Sequence, residues 1–229
     1  MAEGLPPIHD LVRFWRRSEA AALAACIQFR KTPVPAWTLG WLRHAAPVIM
    51  TGELSQTALR HAVREKVFSE AQPSVLKAVD LFWRFVEKHQ WRGKALSESA
   101  YTLPSGLGVR IGPIGRYFSE HTKSDWLVAL QPRQDDIPND EQFSMWRSAL
   151  VYEFCGGEDT AMIVDLSKNP ISQKRELREI TARKFPLLAK SELDERLELV
   201  GHCYRTAIDI IPERPRRPPP RDDDPDFGF

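Results

Sequence analysis

Apolar residues recur at helical spacing through the first ninety residues of the chain. This pattern predicts four helices, which span residues 8–31, 36–46, 54–70 and 74–91. Pro33 and Pro35 are expected to stop the first helix, and the second is expected to end before Pro47. The fourth helix is apolar over most of its circumference, which predicts a central place in the core.

From about Gly93 onward the pattern changes to short β-favouring runs bounded by Gly, Pro, Asn and Asp. These runs predict five strands, at residues 101–103, 108–111, 125–130, 149–154 and 161–166. The sequence Cys-Gly-Gly-Glu-Asp-Thr at 155–160 predicts a hairpin loop between the last two.

Two further helices are predicted after the strands. Asn169 and Pro170 offer an N-cap and a first-turn proline for a helix that reaches about Phe185. Ser191 to Asp194 resembles a capping box and opens an amphipathic helix, which is expected to end the ordered part near Ile211.

The predicted fold class is therefore α+β, with a helical N-terminal half, a small mixed or antiparallel sheet and two C-terminal helices. Residues 1–92 form the helical region and residues 93–211 the α+β region. The two are expected to share one globular body. Residues 212–229 are expected to form a disordered tail.

Composition adds limits to this picture. The chain is 42% hydrophobic, enough for a substantial core, and its 32 basic and 31 acidic side chains nearly balance. A globally basic nucleic-acid binder is not indicated, although a local patch is possible. Three widely spaced cysteines fit reduced thiols. No signal sequence is evident, and no apolar run approaches the about 18 to 20 residues of a membrane span, so a soluble, cytoplasmic protein is expected.

The tail combines a spacer with an acidic, aromatic tip. Prolines in residues 212–221 fix φ and remove backbone donors, which predicts a semi-rigid extended spacer. The tip that follows has the sequence Asp-Asp-Asp-Pro-Asp-Phe-Gly-Phe at 222–229.

This tip resembles the C-terminal tip of the single-stranded DNA-binding proteins of bacteria and some phages. In that family a terminal Phe enters an apolar pocket on replication and repair enzymes, and the Asp residues meet a basic rim. The resemblance implies that Phe229 and its carboxylate are the pocket anchor and that Phe227 supplies a second contact. It implies rim contacts for Asp222, Asp223 and Asp224. We therefore expect a non-enzymatic accessory or adaptor protein of DNA metabolism or mobile-element biology, with a protein partner and no cofactor.

Paired tryptophan and arginine residues suggest a second partner class. Trp91-Arg92 and Trp146-Arg147 could stack bases and neutralise phosphates of a single-stranded nucleic acid. Arg110 and Arg116, in a glycine-punctuated segment, could extend such a surface. The alternative is that the tryptophans pack in the core and the arginines are solvated.

A rival hypothesis is an enzyme. Carboxylates with a lysine on neighbouring strands can hold Mg²⁺ and activate water, as a metal-dependent nuclease requires. The candidate residues lie across the predicted hairpin and are Glu153, Glu158, Asp159, Asp165 and Lys168. A third possibility is an assembly or regulatory subunit whose tail docks on its own body.

Overall fold

The computed structural model confirms the α+β class. It describes residues 5–32, 40–67, 71–106, 108–132, 137–169, 172, 174–213 and 215. Within these residues there are seven α-helices, one short 3-10 helix and seven strands. None of the described helices is long and apolar enough to cross a membrane. Residue 214 and residues 216–229 of the tail that is predicted to be disordered lie outside the described residues.

The N-terminal part is helical, as predicted, but its divisions differ. Its elements are α1 (Ile8–Leu11), a 3-10 helix (Val12–Phe14), α2 (Glu19–Lys31), α3 (Gly40–Met50), α4 (Gln56–Lys66) and α5 (Gln72–His89). The single helix predicted over residues 8–31 is wrong, because Ser18 caps a new helix by accepting a hydrogen bond from the Ala21 amide. The predicted stop at Pro47 is also wrong.

Pro47 lies inside α3, where it removes one backbone hydrogen bond at a cost of about 3 kcal/mol. Leu42, Ala45 and Ile49 on the same helix are fully buried. Burial of this apolar face offsets the cost, so α3 continues to Met50.

The strands form one five-stranded sheet and one separate pair. The larger sheet has the order β1 (Trp91–Ala95), β4 (Gly115–Ser119), β5 (Ser124–Gln131), β6 (Ala161–Asp165) and β7 (Arg178–Ile180). The pair is β2 (Ser99–Thr102) with β3 (Gly108–Ile111). Strands β5 and β6 are parallel, and every other pair of neighbouring strands among the described residues is antiparallel.

Helix α6 (Asp140–Phe154) connects the two parallel strands, so the strand predicted at residues 149–154 and the hairpin at 155–160 are wrong. Parallel neighbours require a crossover, which α6 supplies. Asn139 and Gln142 form a reciprocal capping box that begins the helix. The β-favouring residues Leu150 and Val151 are fully buried, and this burial stabilises them in the helix.

The helix predicted from Asn169 to Phe185 is wrong as well. Lys168 and Arg175 form an isolated antiparallel bridge, and β7 follows and pairs with β6. Residues 170, 171 and 173 of this segment lie outside the described residues. The strands β1, β4 and β7 were not predicted.

The last helix, α7 (Lys190–Ile210), confirms the predicted amphipathic helix. Its stripe of Leu193, Leu197, Val200 and Tyr204 is buried. The predicted capping box is wrong, because the N-cap is Ala189 and makes no side-chain hydrogen bond.

The five-stranded sheet is the middle layer of the body. Alternate residues of a strand point to opposite faces, which gives two hydrophobic clusters. On the first face, α3, α4 and α5 pack on Trp91, Tyr117, Val128, Leu130, Met162 and Val164. On the second face, α1, α2, α6, α7 and the β2–β3 pair pack around Leu127, Ala129, Ala161, Ile163 and Ile180.

Candidate functional site

The carboxylates proposed for a nuclease are not brought together. Asp159 precedes β6 and Asp165 is its last residue. The six residue steps between them correspond to a separation of about 20 Å along an extended strand. Glu153 accepts a hydrogen bond from Ser99 Oγ near the end of α6, and Glu158 is exposed. Among the described residues, no group of three or more His, Cys, Asp or Glu could hold a metal ion.

Asp159 and Asp165 instead each pair with an arginine. Arg147 donates hydrogen bonds to both carboxylate oxygens of Asp159, and Arg178 Nε lies 2.8 Å from Asp165 Oδ2. Lys168 follows the carboxyl end of β6 and lies in the bridge to Arg175. The hairpin geometry on which the nuclease hypothesis rested is therefore not formed.

The predicted role of Trp146 and Arg147 in nucleic-acid binding is wrong because both are buried, Trp146 at 1% and Arg147 at 0% exposure. Arg147 Nε also donates to the Phe185 carbonyl oxygen at 3.0 Å. Burial lowers the pKa of Arg147 from its ordinary value, and Asp159 opposes that shift. Arg147 thus connects α6 through Asp159 to the segment before β6, and through Phe185 to the segment before α7.

Trp91 is also buried, so base stacking by Trp91 is excluded as well. Arg116 is half-buried and donates from Nη2 to the Phe154 carbonyl oxygen at 2.7 Å, which satisfies an acceptor at the end of α6. Arg92 and Arg110 are exposed. Arg92 Nε lies 3.4 Å from Glu120 Oε1.

The predicted partner-binding residues Asp222, Asp223, Asp224, Phe227 and Phe229 lie outside the described residues.

The start of the tail is described, and a buried arginine holds it. Arg30, 1% exposed, lies near the end of α2. Its Nε and Nη2 donate to the Ile211 carbonyl oxygen at 3.1 and 2.8 Å, and Nη2 donates to the Pro212 carbonyl oxygen at 2.5 Å. We call Arg30, Ile211 and Pro212 the tail anchor.

A second polar assembly lies where β5 and β6 end. Gln131 and Asp165 are register partners at the carboxyl ends of these parallel strands, and both are fully buried. They follow Ala129 and Ile163 by two residues, so their side chains lie on the second face, beneath α6. Asp165 Oδ1 accepts a hydrogen bond from the Ser167 amide at 3.0 Å.

Successive contacts from Gln131 and Asp165 close into a ring. Arg178, which pairs with Asp165, lies 5.8 Å over the Phe143 ring, whose centroid is 6.5 Å from that of Trp146. The Trp146 ring is 5.8 Å from that of His9. His9 Nε2 lies 2.5 Å from Arg43 Nη1, and Arg43 Nη2 lies 3.4 Å from Gln131 Oε1. We call these seven residues the strand-end ring: His9, Arg43, Gln131, Phe143, Trp146, Asp165 and Arg178.

Two members of the strand-end ring carry buried donors that are not satisfied. Gln131 Nε2 and Trp146 Nε1 have no hydrogen-bond partner within the described part of the chain. Each such donor costs about 1 to 3 kcal/mol if nothing accepts from it. Burial raises the pKa of Asp165 above its usual range, while Arg178 and the Ser167 amide lower it.

The sequence contains a partial signal for the strand-end ring. Gln131 and Asp165 each end an apolar β run with a polar residue. The sequence does not reveal the parallel pairing that makes them neighbours. Asp165 was therefore grouped with the carboxylates of the hypothetical nuclease site. His9 and Arg43 come from distant helices and have no local signal.

A further polar cluster joins α5 to the sheet. His89, 1% exposed, has Nδ1 2.9 Å from Ser119 Oγ and Nε2 3.2 Å from Glu179 Oε1. The second contact is close enough for an ion pair but is not aligned as a hydrogen bond. His89, with help from Lys88, holds the pKa of Glu179 at about 2.

The order serine, histidine, carboxylate is that of a hydrolytic relay. However, Ser119 is fully buried, and its Oγ accepts a hydrogen bond from the Thr122 amide at 3.1 Å. The cluster therefore fits a structural role, connecting α5 to β4 and β7.

Comparison of the chain with protein-family models and with curated proteins finds no match.

Proposed function

We propose that this protein is a non-enzymatic accessory or adaptor protein of DNA metabolism or mobile-element biology. Its body holds the origin of an acidic, aromatic tail, and the tail docks on a partner protein. The observation that supports this proposal is the tail anchor, in which Arg30 donates to the carbonyl oxygens of Ile211 and Pro212.

The tail anchor gives the tail a fixed point of departure. Hydrogen bonds donated by the charged Arg30 guanidinium are stronger than those between neutral groups, and two successive carbonyl oxygens accept them. Residues before Glu213 therefore belong to the body. A partner bound to the segment beyond would be tethered to the body. Any second contact between that partner and the body would then form at high effective concentration.

The composition of the tip specifies the partner's chemistry. Asp222, Asp223 and Asp224 would steer the tip to a basic rim. Burial of Phe229 in an apolar pocket would add about 1.5 to 3 kcal/mol. The expected partner is a replication or repair enzyme with such a pocket and rim.

Affinity capture tests the proposal at the level of partner identity. The intact chain and a chain stopped after Glu213 would be compared as baits, and the proteins retained only by the intact chain would be identified. We expect a replication or repair enzyme among them. Identical retention by the two baits would contradict the proposal.

A small basic surface supports a second candidate function, contact with single-stranded nucleic acid. Arg92 and Lys94 are exposed two residues apart on β1, so they share one face of the strand. Phe118, the register partner of Arg92 on β4, is half-buried beside them. A cation beside an aromatic ring is an element of a stacking platform.

A further inference from the structure

We propose that residues 216–221 of the tail fold back along α7 and dock, as an extended segment rich in arginine and proline, in a cleft beside Trp15. The occupant is a segment of this chain. The acidic tip at residues 222–229 stays outside the cleft, so the proposal does not depend on the proposed function of the tip.

The cleft is formed by Trp15, which precedes α2, and by the first half of α7. Its volume is about 470 Å³, and its lining residues, which define the Trp15 cleft, are Trp15, Glu192, Glu195, Arg196 and Leu199. Trp15 Nε1 donates a hydrogen bond to Glu141 Oε2 at 3.3 Å, and the Arg196 guanidinium lies 4.8 Å from the centre of the Trp15 ring. The ring is therefore already positioned without an occupant.

The charge that remains available in the Trp15 cleft is negative. Arg196, the cation among the lining residues, pairs with Glu192 at 2.5 Å. Glu195 is exposed, and its carboxylate has no partner within the described part of the chain. Residues 216–221 carry three arginines and no acidic residue. The segment and the cleft are thus complementary in charge.

The cations on the other side of Trp15 do not cancel this complementarity. Arg16 and Arg17 line a neighbouring cleft together with Asp140 and Glu141. Arg17 pairs with Glu141 at 2.8 Å. The two acidic residues balance the two arginines, so this neighbouring surface has no net charge.

The prolines of the segment suit an aromatic surface. The sequence Pro-Pro-Pro at 218–220 favours the extended polyproline conformation, which forms no internal hydrogen bonds. Segments of this kind dock in aromatic-lined grooves at a low cost in conformational entropy. Trp15 and Leu199 supply the apolar surface of the Trp15 cleft.

The length of the tail matches the distance to the cleft. Along α7, Leu199 precedes Ile211 by about 18 Å and Glu195 precedes it by about 24 Å. In the polyproline conformation, Pro218 lies about 19 Å from Pro212, and Arg221 about 28 Å. The backbone bends at Glu213, directly after the tail anchor. A chain that turns back there can place Pro218 beside Leu199 and Arg221 beside Glu195.

An accessible stripe on α7 connects the tail anchor to the Trp15 cleft. Its members recur at spacings of three and four residues, so they share one face of the helix, and none of them is fully buried: Glu195, Leu199, His202, Thr206 and Asp209. Arg205 is an exposed cation beside this stripe, and Asp209 four residues later opposes its charge.

Nitrogen-15 relaxation of the intact chain tests the docking, because Arg217 and Arg221 carry backbone amides that report on the segment. We expect order parameters of about 0.85 for both amides, as in a rigid body, and values below about 0.6 for Phe227 and Phe229 in the tip. Spectra recorded over a range of protein concentrations would show whether the segment docks within one chain.

Charge reversal locates the contact. Glu195→Lys should lower the order parameter of Arg221 below about 0.6, and Arg221→Glu in the same chain should restore it, because the two charges are then exchanged. Glu65→Lys on α4, which packs on the opposite face of the sheet, is the control and should change neither amide. Both glutamates are exposed, so both variants should keep the melting temperature of the unmodified chain.

Three results would overturn the proposal. The first is an unmodified chain in which Arg217 and Arg221 are as mobile as the tip. The second is order that persists in Glu195→Lys, which would mean that the segment docks elsewhere. The third is order that appears only as the protein concentration rises, which would mean that a second copy of the chain supplies the occupant.

Discussion

The guanidinium of Arg30 donates two hydrogen bonds to the carbonyl oxygen of Ile211, the residue that follows α7. Arg30 comes from α2, which packs along α7, so the end of α7 is held by a neighbouring helix. The chain before Glu213 is thereby part of the folded body. The segment beyond it carries the proposed docking function.

Replacement of Arg30 tests this relationship. Arg30→Met keeps the aliphatic stem but removes every donor, leaving the carbonyl oxygens of half-buried Ile211 and exposed Pro212 without this partner. We expect the free energy of unfolding, measured with urea, to fall by about 2 to 3 kcal/mol. The exposed Arg205→Met on α7 is the control and should change it by less than about 0.5 kcal/mol. Equal losses of stability in the two variants would contradict the proposed role of Arg30 in the tail anchor.

The close approach of β1 and β4 makes Gly93 irreplaceable. A Cβ there would lie 2.2 Å from the Arg116 carbonyl oxygen and 2.6 Å from the Tyr117 Cα, both backbone atoms. We expect Gly93→Ala to lower the free energy of unfolding by about 2 kcal/mol or more. Gly108→Ala, whose Cβ would meet only the Ala100 Cβ at 3.6 Å, is the matched substitution. Similar melting temperatures for the two variants would refute this packing.

The contacts of Glu179 with His89 and Lys88 predict a dependence on pH. The folded-state pKa of Glu179 is depressed from 4.5 to about 2, so its contribution to stability is complete above about pH 4.5 and is lost as the pH falls towards 2. We expect Glu179→Gln to lower the free energy of unfolding by about 1 to 2 kcal/mol at pH 7, and by less at pH 3.5.

Urea titrations at pH 7, 5 and 3.5 would measure this difference. Glu65→Gln removes an exposed pair with His61 and should have little effect at any of these values. A Glu179→Gln effect that stays constant from pH 7 to 3.5 would show that the charge of Glu179 contributes nothing to the cluster.

The basic surface on β1 makes a prediction for oligonucleotide binding. Changing Arg92 and Lys94 together to Glu should weaken binding of a single-stranded oligonucleotide and flatten its dependence on salt, with the melting temperature nearly unchanged. Lys77→Glu, an exposed lysine on α5, serves as the control. If the unmodified protein binds no oligonucleotide at low salt, this candidate function is ruled out.

Periodic elements could be predicted from sequence because their signal is local. Helix α7 carries its stripe from Leu193 to Tyr204, and the apolar runs of β5 and β6 are short and bounded. Helix α6 was missed for a physical reason. It is buried on every residue from Gln142 to Val151, so it has no polar face, and only its capping box signals a helix.

The site depends on contacts that no local pattern encodes. Arg147 follows Trp146 and was expected to face solvent, but Asp159 and the Phe185 carbonyl bring it into the interior. Gln131 and Asp165 become neighbours only through the parallel register of β5 and β6. The residues of the strand-end ring are therefore brought together only by the tertiary fold.

The central claim is that the tail docks on a partner protein. The most direct test is the affinity of the chain for a purified replication or repair enzyme that binds acidic, Phe-terminated tips. The account predicts that Phe229→Ala weakens binding by about thirtyfold, or about 2 kcal/mol. It predicts that Asn at Asp222, Asp223 and Asp224 mainly slows association and reduces its dependence on ionic strength. Equal binding by the intact chain and both variants, or no binding by the intact chain, would contradict the account.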